Sequence, residues 1–352
     1  MFAKPADDTR GYSRRECLAI LAGGAAVSQV RAARVDAAVA TSKPMRGAFM
    51  ILSTPFTASG AVDWEDLARE VAFVDRCGAQ GMVWPQGSSG LASLTKDERF
   101  RGMEVLARAI QGKKAALGLG VQGANTQEML EYARRAEALA PDALIAMPPS
   151  AGTSMDDYRE YFRALAHVTT RPVIVQTSGG ARNLPPSTDL IVELAREFPN
   201  FGYVKEESAP VVERMKALVR QRPPMRSVFG AEFGQGWLYE MRLGLDGVIT
   251  GNAMYADLMA RIWDLHERGR TDEVRDAYSK FLLMRNLNQQ IPGADLYVMK
   301  KRGVFKTTVT RRSAEGSAFT PTDLHLSPDA VDEIEYRFAA LKPYLSAAAS
   351  MF

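Results

Sequence analysis

Pro172-Val173-Ile174-Val175-Gln176-Thr177-Ser178-Gly179, a segment Thr188–Glu197, and then Gly202-Tyr203-Val204-Lys205-Glu206-Glu207-Ser208 form the stretch on which the fold of this chain turns. Its two short apolar runs show no polar–apolar alternation, the pattern of strands buried on both faces. The segment between them carries apolar residues at three- and four-residue steps, the spacing of one helix face. Strand, loop, helix and strand in that order make a crossover unit, which joins parallel strands.

Working outward, the same unit recurs along the chain. Apolar runs fall at Gly47–Leu52, Gly81–Trp84, Ala115–Leu119, Ala143–Ala146, Pro172–Val175, Gly202–Val204, Ser227–Phe229 and Gly247–Ile249. Helical spacing fills the gaps at Trp64–Arg76, Thr95–Ile110, Thr126–Ala138, Met155–Ala166, Thr188–Glu197, Val211–Arg220 and Gly236–Leu243. Eight such units predict an α/β chain closed as a (β/α)8 TIM barrel over residues 41–255. An open doubly wound sheet would need a crevice motif. The nearest candidate, Gly118-Leu119-Gly120-Val121-Gln122-Gly123, reads better as a turn after the third strand, with no acidic residue about 20 residues on.

After Tyr255 the alternation stops. Segments 256–268, 272–289, 293–302 and 328–345 read as helices, joined by a polar stretch, 303–327, that reads as a long loop. Residues 256–352 are thus expected to be a C-terminal helical appendix packing on the barrel.

Residues 1–40 differ from the rest. Arg14-Arg15 precede a short Ala- and Gly-rich apolar run, Leu18 to Val27, and Ala38-Val39-Ala40 supply small residues at a cleavage-type spacing. This resembles a twin-arginine (Tat-like) export signal and implies a periplasmic mature chain. The run is much shorter than the roughly 20 apolar residues that span a bilayer, so no membrane association is expected of the mature form. Cys17 would leave with the signal, and Cys77 alone cannot form an internal disulfide. The net charge is +3, and residues 41–352 carry 38 basic against 37 acidic side chains, which offers no footprint for nucleic acid.

In such a barrel the reacting groups follow the strands. Strand two is followed by Gly87-Ser88-Ser89-Gly90, strand four by Met147-Pro148-Pro149-Ser150, strand five by Gln176-Thr177-Ser178-Gly179, and strand six ends on Lys205-Glu206-Glu207-Ser208. A lysine there is either a solvated or ion-paired ammonium, with Glu206 or Glu207 as partner, or a desolvated amine able to attack a carbonyl carbon. Glycines around two hydroxyls let backbone N–H groups and both Oγ atoms converge on a small carboxylate, although the loop can also be a plain turn. The three histidines, His167, His266 and His325, follow no strand, so no metal cage is expected.

Taken together, these motifs resemble the dihydrodipicolinate synthase and N-acetylneuraminate lyase family of class I, Schiff-base-forming aldolases. The resemblance covers about residues 46–303: Ser53-Thr54-Pro55-Phe56, the Gly-Ser-Ser-Gly loop with Leu94-Thr95 and Glu98-Arg99, Pro148-Pro149, Val204-Lys205-Glu206, Gly230, and Gly244-Leu245-Asp246-Gly247-Val248-Ile249. It implies that Lys205 forms an imine with pyruvate or another 2-oxo acid. It further implies that Ser88 and Ser89, with Gly87, hold the carboxylate and begin a proton relay, and that Arg182 stands where the family has its carboxylate-binding arginine. Gly230 and Thr250, ending strands seven and eight, complete the expected substrate-binding set. No cofactor is implied; a homodimer or homotetramer is.

The departures bear on activity. The family's strand-five tyrosine is Gln176 here, which cannot exchange a proton near neutral pH as a phenol can. The tyrosine after strand four is replaced by the Pro149-Ser150 stretch, and the glutamate after the hydroxyl loop is Leu91. Glu207, Tyr203 or a water would have to move protons instead. Two functions follow: a lyase, aldolase or dehydratase, working through Lys205 with Gln176 as a non-relaying pocket residue, or an exported, catalytically silent barrel that binds a small carboxylate. Trp84, Gln86 and Tyr255 point to a pocket with some aromatic surface.

Overall fold

Residues 43–181, 184–313 and 319–346 are described by a computed structural model. Eight parallel strands close on themselves: β1 (Gly47–Ile51), β2 (Gly81–Trp84), β3 (Ala116–Gly120), β4 (Ala143–Ala146), β5 (Val173–Gln176), β6 (Tyr203–Lys205), β7 (Ser227–Gly230) and β8 (Gly247–Thr250). The ring is sealed where β1 pairs with β8, Ala48 opposite Val248 and Phe49 opposite Ile249. Between the strands run α1 (Trp64–Arg76), α2 (Lys96–Ala109), α3 (Thr126–Ala138), α4 (Met155–Ala166), α5 (Thr188–Glu197), α6 (Val211–Val219) and α7 (Trp237–Arg242).

Strand pleat sorts the apolar residues into two sets. Met82 and Trp84, Leu117 and Leu119, Leu144 and Ala146, and Val173 and Val175 face outward. They share one core with helix residues such as Leu67, Val71, Leu106, Met129, Phe162 and Leu190. The other phase fills the barrel: Phe49 and Phe229 meet edge to face, 5.3 Å between centroids. Gly81 supplies the room, because a Cβ there would lie 2.2 Å from the Phe49 ring. Five of the seven barrel helices start at a capping side chain. Thr95 and Ser154 form capping boxes with Glu98 and Asp157, and Asp63, Asn125 and Ser187 accept from first-turn amides. Such caps contribute about 0.5–2 kcal/mol each.

Beyond Tyr255 come α8 (Ala256–Glu267), α9 (Thr271–Gln290), α10 (Ala294–Lys301) and α11 (Pro328–Ala339). Helix α8 packs on β1 and α9 on α8, and the buried Arg302 guanidinium grips both Asp257 oxygens at 3.0 and 2.7 Å. Cys77 is buried and unpaired. Among the described residues no helix is long and apolar enough to cross a membrane. Residues 1–40, where an export signal is expected, lie outside them.

One expectation is corrected here. The stretch 303–327 is not simply a loop: Thr310–Ser313 (β9) pairs antiparallel with Phe319–Thr322 (β10). Arg311 anchors the hairpin on the loops after β1 and β2, donating to both Glu98 oxygens, to Ser93 O and to Gly60 O. Val309 adds to a small apolar cluster with Phe56 and Val62. Residues that look solvated in sequence are thus held by a guanidinium that finds four acceptors.

Candidate active site

The inward phase of β5 and β6 carries a polar layer at its C-terminal end. Gln176 and Lys205 stand opposite each other in register, and Glu207, two residues on, returns to the same face. With Gly87, Ser88, Met147, Ser178, Glu232 and Thr250 among their neighbours, these residues line a cavity of about 370 Å³ at the mouth of the barrel. That is a volume suited to a small molecule.

Lys205 is almost wholly buried. Its Nζ donates to Glu207 Oε1 at 3.1 Å. Burial pushes the ammonium below the ordinary lysine range, and the Glu207 carboxylate draws it partly back. The amine is therefore neither in bulk water nor turned away from the opening; its one carboxylate partner sits inside the same cavity. Oε1 of Glu207 also accepts from Gln176 Nε2 at 2.7 Å and from the Ser178 hydroxyl, and the Glu207 amide donates to Thr177 Oγ1 at 3.0 Å. Gln176 Nε2 reaches Ser178 Oγ as well, at 2.9 Å, while its own Oε1 is buried without a partner among the described residues. That oxygen is an acceptor awaiting a donor.

Glu206 takes the other phase. It is fully buried in the outer layer, where Arg214 donates through Nε and Nη2 at 3.0 Å each, with Thr177 Oγ1 at 2.8 Å and Ser208 N at 2.9 Å. Of the two carboxylates that could meet Lys205, strand phase selects Glu207. Tyr203 lies one layer deeper on β6, its hydroxyl near Arg226, and does not line the cavity.

The hydroxyl loop divides. Gly87 and Ser88 face the cavity and are exposed. Among the described residues their amides donate to no backbone acceptor. Ser89 is buried; its Oγ accepts from Gln86 N at 3.0 Å and its carbonyl accepts from Thr54 Oγ1 at 2.6 Å. It shapes the loop and does not reach the cavity. Thr250 is in place, its Oγ1 accepting from Asn252 Nδ2 at 2.7 Å. Gly230 is not: a Cβ there would fall 1.8 Å from Glu240 Oε2, so the missing side chain makes room for a carboxyl on the helix side of β7. Arg182 lies outside the described residues.

The expected aromatic lining is also corrected. Trp84 belongs to the outward phase, packed against Gly102 of α2 with its Nε1 on Thr54 Oγ1. Gln86 is buried beside Gln122, and Tyr255 is fully buried. The aromatic surface comes from Phe233, at φ 55 beside Glu232 at φ 46. A pair of non-glycine residues in the left-handed region is uncommon and draws attention to this loop. No sequence pattern marked it. Among the described residues no cluster of His, Cys, Asp and Glu could hold a metal ion.

The chain is similar to several known proteins. The 4-hydroxy-tetrahydrodipicolinate synthase of Chlorobaculum parvum is 28% identical over 250 residues, 70% of this chain and 83% of that protein. The like-named protein of Moorella thermoacetica is 32% identical over 173 residues, 48% and 58% of the two chains. The structure of the 4-hydroxy-tetrahydrodipicolinate synthase from Methylacidiphilum fumariolicum SolV superposes with a TM-score of 0.72 at 16% identity, covering 87% of this chain and 98% of its own. That from Cyanidioschyzon merolae gives 0.73 at 18%, covering 85% and 99%; both share the barrel fold. The profile of the Dihydrodipicolinate synthetase family matches residues 44–313, from just before β1 to the end of β9, and with the match running through every strand of the barrel this chain belongs to that family.

Proposed function

We propose that the chain is a Schiff-base-forming lyase, an aldolase or dehydratase, that acts on a small 2-oxo acid such as pyruvate or a derivative through Lys205. The observation that carries this reading is a buried amine, depressed by desolvation, lining a small polar cavity at the barrel mouth. Family membership supports the same class of chemistry. Ser88 and the free amides of Gly87 and Ser88 are the donors for the substrate carboxylate, and Thr250 borders the same space. Gln176 stands where the resemblance implies a tyrosine and serves as a hydrogen-bonding wall.

Pyruvate with borohydride should leave a reduced adduct on Lys205, visible as an intact-mass increase and lost in Lys205→Ala. A panel of 2-oxo acids that leaves the wild-type mass unchanged would sink the reading. The glutamine on strand five favours a second one, a silent binder of small carboxylates. It would prevail if Lys205→Ala kept ligand affinity within a few-fold and the wild type turned nothing over.

Export and homo-oligomeric assembly are part of the same proposal. The first rests on Arg14-Arg15, the apolar run and Ala38-Val39-Ala40, the second on the family alone. Fusing residues 1–40 to a reporter active only outside the cytoplasm tests export; changing Arg14 and Arg15 to lysine should abolish the signal.

A further inference from the structure

On the Schiff-base reading the amine in this cavity must lose a proton and the substrate must gain and lose protons, yet the strand-five residue is an amide. We propose that Glu207 is the general acid and base of this site, with Gln176 and Ser178 as positioning residues that fix its carboxylate. The inference rests on the Schiff-base reading above.

Position singles out Glu207. Of the described residues lining the cavity, Lys205, Glu207 and Glu232 are the ones that carry an amine or a carboxylate. Only Glu207 is within hydrogen-bond reach of the reacting nitrogen, 3.1 Å from Nζ. Its Oε1 is held by three donors, Lys205, Gln176 and Ser178. Its Oε2 makes no hydrogen bond to a described residue, and the side chain is part-exposed to the cavity. One oxygen is anchored on the amine side and the other is left for substrate. Glu206, for all its proximity in sequence, is locked behind the wall by Arg214.

The proton count closes. Transfer within the pair turns ammonium and carboxylate into amine and carboxylic acid. The Lys205 nitrogen attacks C2 of the 2-oxo acid, forming the C–N bond; the carbonyl oxygen takes up the proton that the nitrogen sheds, giving a carbinolamine. Glu207 donates its proton to that hydroxyl, water leaves, and an iminium remains beside a carboxylate. The carboxylate then removes a proton from C3, whose electron pair forms the C=C bond of the enamine and neutralises the nitrogen. No oxidant, metal or second acid is needed.

The test separates binding from proton transfer. Full-length wild type and Glu207→Gln are incubated with pyruvate in D2O. Exchange of the C3 protons is followed by NMR, and the borohydride adduct on Lys205 at equilibrium by intact mass. Expected is an adduct yield within about threefold of wild type in Glu207→Gln, with exchange lowered about 10²–10⁴-fold. Glu207→Asp, which keeps the charge but withdraws it by one methylene, should exchange at an intermediate rate; it also carries the test if the glutamine variant does not fold. Exchange within threefold of wild type in adduct-forming Glu207→Gln overturns this proposal and leaves the lyase reading intact. Loss of the adduct in a folded Glu207→Gln that persists when incubation is extended to equilibrium also overturns it, since the carboxylate would then be setting the amine's charge; slower adduct formation alone is the expected effect of a missing general acid. A wild type that forms no adduct overturns both.

Discussion

The inner and outer sides of the barrel wall at β6 handle the same side chain in opposite ways. Glu206, on the outer side, is fully buried and spent on Arg214, Thr177 and Ser208. Glu207, on the inner side, keeps 17% of its side chain exposed and holds the Lys205 amine. Adjacent residues of one type differ only in strand phase. Phase decides whether a carboxylate meets a guanidinium among helices or an amine in a cavity, and so whether it stabilises the fold or serves chemistry.

The largest effect is expected at the amine. Lys205→Ala should abolish the pyruvate adduct and any turnover while leaving the melting temperature near wild type or above it, because a desolvated ammonium is removed from the interior. Loss of activity through unfolding, seen as a collapsed melting transition, would place Lys205 in the stabilising set instead. Glu206→Ala should do the reverse. It strands a largely buried guanidinium, at a cost of about 3–5 kcal/mol in a urea titration. The adduct should persist wherever the variant is still folded. Equal stability losses for Glu206→Ala and Glu207→Ala would erase the distinction between the two sides.

Much of this contrast is written in the sequence. All eight strands lie within one residue of their apolar runs at both ends, β2 and β4 on the runs themselves, because a doubly buried strand needs unbroken apolar residues and little else does. The inward course of Lys205 and Glu207 was legible from two-residue spacing once Lys205 was placed. The loops were harder. Ser88 and Ser89 are indistinguishable as residues, and the 3-10 turn that exposes one and buries the other depends on Gln86 and Thr54, distant in chain or mute in pattern. Gly230 is expected in the substrate-binding set, but the space beside it is filled by Glu240, ten residues on. The hairpin was hidden because Arg311 finds its acceptors more than 200 residues away.

Glu240 extends the comparison to a carboxyl on the helix side of the wall that meets no cation among the described residues. Burial, reinforced by Glu232, pushes it up to about 7. The folded value lies above the unfolded one near 4.5, so the folded state binds the proton more tightly. Its contribution is fully present below about pH 4.5 and is lost as the pH rises through about 7. Glu240→Gln removes that titration. It should match wild type near pH 4 and exceed it increasingly up to pH 8, by up to about 3 kcal/mol. Denaturant titrations at the two pH values check this, and a difference that does not widen with pH would mean the carboxyl finds a partner in solution.

The smallest predicted effect joins the two sides. Thr177 is buried between them, its Oγ1 donating to Glu206 Oε1 at 2.8 Å and accepting from the Glu207 amide at 3.0 Å. Thr177→Val keeps the shape and removes both bonds. Glu206 retains Arg214 and Ser208, so its loss is modest, but the Glu207 amide is left without its acceptor, and together these should cost about 1–2 kcal/mol. The same change frees the backbone that aims Glu207, so C3 proton exchange should fall, by roughly tenfold and less than in Glu207→Gln. Thr177→Ser restores the hydroxyl and should recover both quantities. If Thr177→Val lowered stability while exchange stayed at the wild-type rate, the outer carboxylate's network would have no hold on the inner one, and phase alone would account for their difference.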